Sequence, residues 1–173
     1  MPAKERGATA IPVLKHNTES FQGLSRHPEG LDNACSLALL SGFYRERDLT
    51  PWPAPAAKKG QEDFPGGADA FLESILRKTL PEISIRLGYE PAWHGIAGYS
   101  PAGLFAVYAL YRTDVFKRSA SVSGSLWSDG FKGFALSTPL AGIPDRVCLP
   151  PGSREGRTRD ARLSRVKECT EAL

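Results

Sequence analysis

Gly98-Tyr99-Ser100-Pro101-Ala102-Gly103 is the stretch on which the reading of this chain turns. Before it, Pro91–Ala97 (PAWHGIA) has the apolar content of a buried strand; after it, Pro101–Arg112 (PAGLFAVYALYR) has that of a packed helix. A serine at such a junction, with Gly98 two before it and Ala102 two after, fits a nucleophile elbow. There the hydroxyl stands on a strained strand-to-helix turn, and larger neighbours would clash. The same residues also describe a simple helix start, with Ser100 as N-cap and Pro101 in the first turn, which requires no chemistry.

Working outward, Cys35–Phe43 (CSLALLSGF) reads as a buried strand bounded by Arg45-Glu46-Arg47-Asp48. Pro51, Pro53 and Pro55 then forbid helix and make Leu49–Ala56 a stiff extended loop. Asp69–Leu80 places Phe71, Leu72, Ile75 and Leu76 on one face of an amphipathic helix, and Ile83–Leu87 extends the pattern beyond Pro81. Ser119–Ser123 and Arg146–Leu149 read as strands, Ile11–Leu14 as a short one, and Ser164–Ala172 as helix. Strands alternating with helices predict a doubly wound, mostly parallel α/β sheet.

The stretches Arg47–Ala56 (RDLTPWPAPA), Gly66–Leu72 (GGADAFL), Gly98–Asp114 (GYSPAGLFAVYALYRTD) and Ala120–Phe131 (ASVSGSLWSDGF) resemble the esterases of the α/β-hydrolase superfamily related to siderophore (enterobactin-type) esterases and esterase D. A weaker likeness runs through Arg146–Leu173, so that residues 35–173 are covered. The resemblance implies an α/β-hydrolase fold and serine hydrolysis of an ester or related acyl bond in a small molecule. It makes Ser100 the nucleophile and places Tyr99, Pro101, Trp52, Ser123 and Trp127 around its pocket, at the sheet edge where ligands gather in open α/β folds. On this basis residues 31–173 form a partial hydrolase domain, and residues 1–30 an irregular, poorly matched N-terminal segment.

Three departures from the family pattern bear on activity. The chain order in this fold is nucleophile, acid, histidine, yet His16, His27 and His94 all precede Ser100. His94 lies six residues before Ser100, and an extended segment of that length spans about 20 Å. The family's histidine follows a further strand, and the chain ends at Leu173, before it. At the family's acidic position stands Ser153 of Gly152-Ser153-Arg154-Glu155, leaving Glu155 as candidate acid and Asp160 as the alternative; both also read as solvated charges in an Arg-rich segment. Finally, Pro101 follows the nucleophile, where a backbone N–H normally binds the oxyanion, and proline has none. The expectation is a serine hydrolase with weak or absent activity; the alternative is a non-catalytic remnant that binds a ligand or partner. A sheet lacking early and late strands would expose an edge through which two copies could pair.

Composition narrows the remaining classes. The 173 residues suit one domain, with 41% hydrophobic and 24% charged residues, ordinary values for a globular chain. A net charge of +3 argues for neither nucleic acid nor anionic membrane, and the basic run from Arg154 to Lys167 has no aromatic residue beside it for base stacking. Cys35, Cys148 and Cys169 are odd in number and form no Cys-x-x-Cys pair, which predicts a reduced, cytoplasmic setting with no disulfide framework or zinc site. Met1–Ala10 lacks the apolar core of a signal peptide, and the longest apolar run, Pro101–Tyr111, is too short to span a bilayer. No phosphate loop, cofactor motif or metal-ligand spacing is present.

Overall fold

The structure is a computed structural model, which describes residues 8–13, 24–26, 35–56, 60–150 and 165–173. Among the described residues six strands form one sheet: β1 (Ala8–Val13), β2 (Leu24–Arg26), β3 (Cys35–Ala38), β4 (His94–Tyr99), β5 (Phe116–Val122) and β6 (Arg146–Cys148). Their spatial order is β2-β3-β1-β4-β5-β6, and every neighbouring pair is parallel except β2 with β3. The result is a mixed α/β fold with a mostly parallel sheet and flanking helices. β1 lies between β3 and β4, with Val13 opposite Gly98. That placement rests on pairing with strands far along the chain, which local sequence does not carry.

The helices are α1 (Arg45–Asp48), α2 (Ala68–Ser74), α3 (Leu80–Leu87), α4 (Pro101–Arg112), α5 (Phe131–Ser137) and α6 (Val166–Glu171). The helix expected over Asp69–Leu80 and onward is continuous from α2 to α3, through a π-helical segment at Ile75–Thr79. Leu80 donates its N–H to the Ile75 carbonyl, five residues back, and the widened turn takes up Pro81, which has no N–H of its own. Gly88, at φ 74°, ends α3 in the left-handed conformation that glycine tolerates best. Three elements differ from the expected pattern. The strand expected over Cys35–Phe43 stops at Ala38, the charged Arg45–Asp48 run is a single helical turn, and α5 forms where the sequence carries no helix signal.

α4 is buried without interruption from Ala102 to Leu110, because it packs on β4 and β5 on one side and on α1 and α2 on the other. A helix enclosed in this way is apolar all round. Phe105, Leu104, Ile75, Ile83, Ile96, Phe116, Leu126 and Phe131 are among the fully buried side chains of this core. Asp69 anchors the α2–α4 contact by accepting the Tyr108 hydroxyl at 2.8 Å and the Arg112 guanidinium at 3.0 and 3.1 Å. The core thus fixes the start of α4 against the ends of β4 and β5, where Ser100 lies.

Candidate functional site

Ser100 joins the last residue of β4 to the first of α4 with φ 58° and ψ −120°. A non-glycine residue in that region is strained and persists only when its surroundings hold it. Backbone bonds do so here. The Ser100 N–H donates to the Val122 carbonyl at 3.1 Å, and the Ser100 carbonyl accepts the N–H groups of Gly103, Leu104 and Ser125 at 3.0, 3.1 and 3.0 Å. The serine hydroxyl makes no cap bond to the helix. An N-cap serine has extended backbone and spends its oxygen on the second or third N–H of the helix; Ser100 does neither, so the geometry is not that of an ordinary helix start.

The close approach explains the small neighbours. A Cβ at Gly98 would lie 2.2 Å from the carbonyl carbon and oxygen of Ala102, and one at Gly103 would meet Ser121 Oγ at 2.7 Å and the Gly124 Cα at 3.0 Å. Strand, turn and helix are therefore in contact with no space for side chains between them.

A second strained turn stands beside the first. Ser123, just past β5, has φ 48°, and with Ser100 it makes up the non-glycine positive-φ residues among the described ones. Its N–H donates to the Pro150 carbonyl at 3.1 Å. Gly124 follows, where a Cβ would fall 2.1 Å from Ser121 Oγ. The turn delivers Ser125, 8% exposed, with its Oγ 3.4 Å from Ser100 Oγ. The sequence does not single out Ser125; the small-residue run Ser119–Ser125 is the available signal, and only the docking of β5 beside β4 gives it meaning.

The other expected pocket residues distribute as follows. Tyr99 is 58% exposed at the end of β4, and Pro101 is half-buried in the first turn of α4. Trp127 is buried in the core. Trp52 donates its indole N–H to the Asp129 carbonyl at 2.8 Å and packs with Tyr108, Phe131 and Phe134. That cluster lies along α4 at Tyr108, about two turns from Ser100. His94 opens β4, at the opposite end of the strand from the elbow. Its Nδ1 is buried without a partner, and desolvation lowers its pKa from the usual histidine value, against a smaller opposing pull from Glu90. His16, His27, Ser153, Glu155 and Asp160 lie outside the described residues. Among the described residues no group of His, Cys, Asp and Glu is arranged to hold a metal, and no helix is long and apolar enough to cross a membrane.

No model of a known protein family matches the chain. The uncharacterized protein YbbA of Bacillus subtilis (strain 168) is 28% identical over 133 residues, which are 73% of this chain and 53% of that protein. The chain thus spans about half the length of this curated relative. Among solved structures, the siderophore hydrolases EstA and EstB from Aspergillus nidulans superimpose with TM-scores of 0.62 and 0.65 at 19% identity. Each match covers 98% of this chain and 68% of the other. The likeness is one of fold: the chain has an α/β-hydrolase type of fold, like that of these two siderophore hydrolases.

Proposed function

We propose that this chain is a serine hydrolase of an ester or related acyl bond in a small molecule, with Ser100 as nucleophile and a slow turnover. The observation that carries this reading is the backbone of Ser100, held at φ 58° and ψ −120° with its hydroxyl unused by the helix it precedes. Strain of this kind has no packing purpose that an ordinary helix start would not serve better. The fold shared with two proteins named as siderophore hydrolases supports the same class of chemistry.

In the proposed reaction Ser100 Oγ bonds to the acyl carbon and the carbonyl electron pair moves onto oxygen. The alkoxide then leaves as that pair returns, and water later releases the acid. With no imidazole beside Oγ among the described residues, the serine proton passes to solvent water and is returned to the leaving alkoxide, which makes the step slow. Pro101 removes a further contribution, since a missing oxyanion donor costs on the order of 10²–10³ in turnover. Glu155 remains the proposed acid, with Asp160 as second choice. Pro101 also favours the second reading, a non-catalytic binding module built on the same elbow.

A fluorescent fluorophosphonate separates the two. Ser100 Oγ bonds to phosphorus, the P–F bond breaks, and fluoride leaves while the proton goes to solvent. Slow labelling of the 173-residue chain that disappears in Ser100→Ala is expected. A folded chain that takes up no label would leave the binding-module reading standing. Repeating the labelling with His16→Ala and His27→Ala asks whether either imidazole contributes.

A further inference from the structure

We infer that the Ser125 hydroxyl is the hydrogen-bond donor to the oxyanion formed on Ser100, in the place of the N–H that Pro101 lacks; the inference rests on the hydrolase reading above. Ser125 reaches this position by construction. Its N–H is bonded to the Ser100 carbonyl at 3.0 Å, and its own carbonyl accepts the Ser128 N–H at 3.0 Å, so its backbone is held on both sides. The turn that delivers it needs the left-handed backbone of Ser123 and admits no side chain at Gly124. Two strained residues at the ends of two adjacent parallel strands bring two hydroxyls to 3.4 Å.

That separation is long for a hydrogen bond between the two serines themselves. It suits a third atom better. An oxygen on a carbon or phosphorus bonded to Ser100 Oγ comes within the roughly 2.7–3.1 Å at which oxyanion donors act. A hydroxyl is a donor that rotates to its acceptor, and at 8% exposure Ser125 faces little competition from water. Donors fixed before the reaction in a largely dry site stabilise developing charge most. The Ser100 carbonyl already occupies the N–H groups of Gly103 and Leu104, whereas the Ser125 hydroxyl stands beside Ser100 Oγ.

The test is a double-mutant cycle on the rate of Ser100-dependent fluorophosphonate labelling, using Ser125→Ala, Pro101→Ala and the pair, each checked for folding by its urea midpoint. Ser125→Ala is expected to slow labelling by about 10²-fold. In the Pro101→Ala background, where residue 101 again carries an N–H, the same change is expected to cost less than about 10-fold, because two donors to one oxygen are not additive. Ser125→Cys, nearly isosteric with a weaker donor, is expected to fall between parent and Ser125→Ala. An equal loss in both backgrounds would mark Ser125 as merely structural and overturn the inference while leaving Ser100 as nucleophile. No loss at all would do the same. Absence of Ser100-dependent labelling in the folded parent would instead overturn the hydrolase reading, and this inference with it.

Discussion

Adding one methyl group at Gly98 probes the elbow more directly than changing the serine. In Gly98→Ala the new Cβ would sit 2.2 Å from the Ala102 carbonyl carbon and oxygen and 2.7 Å from the Ala102 Cβ, where ordinary contact begins at 3.4 Å. The obstructing atoms are mostly backbone, so no rotamer relieves them. The first turn of α4 must retreat from β4 by about 1 Å, and a misplacement of that size at a reacting group costs about 10²-fold in rate. Overpacking of this kind also costs about 1–3 kcal/mol of stability. Gly133→Ala is the control: it lies inside α5 with nothing within 4 Å of the added atom. Without a clash, replacing a mid-helix glycine by alanine stabilises by about 0.5–1 kcal/mol. Urea midpoints and fluorophosphonate labelling, measured side by side, read both effects. If Gly98→Ala keeps its midpoint and labels at the parental rate, the close strand-to-helix approach does not hold Ser100, and the argument for the elbow fails.

Two further predictions concern pH. Burial, helped by the hydrogen bond to Asp69, raises the Tyr108 pKa from 10.0 to about 12. Between these values the unfolded chain gives up this proton before the folded one, so stability falls as pH rises from about 10 to about 12; denaturation curves over that range should be flatter in Tyr108→Phe, and identical slopes would refute the assignment. His94 behaves in the opposite direction, since desolvation lowers its pKa in the fold. Below about pH 6.5 the unfolded chain binds this proton more readily, so stability is lost as pH falls. An NMR titration should place the His94 midpoint below the ordinary value of 6.5, and His94→Gln should weaken the acid-side decline; a midpoint above the ordinary value would contradict the burial argument.

Legibility in this chain divides along contact range. Ser100, Gly98 and Ala102 lie within five residues, and the clash that demands small side chains arises between neighbours along the chain, so the tight strand-to-helix turn is legible in the sequence. The amphipathic run Asp69–Leu80 is legible for the same reason, because a helix brings residues three and four apart to one face. α5 is not, since its seven residues include Gly133 and carry too little period to distinguish it from a loop.

Sequence by itself determined the alternation of strand and helix, the place of Ser100 at the turn between them, and the lack of an N–H at Pro101, each a property of the residue and its immediate neighbours. Tertiary structure alone decided that β1 lies beside β4 and that the Ser125 hydroxyl, twenty-five residues on, comes within 3.4 Å of that of Ser100. Parallel strands must be joined by crossovers, so the groups that meet at the end of the sheet come from distant parts of the chain. Their meeting is set by the packing of the whole core, which no local pattern records.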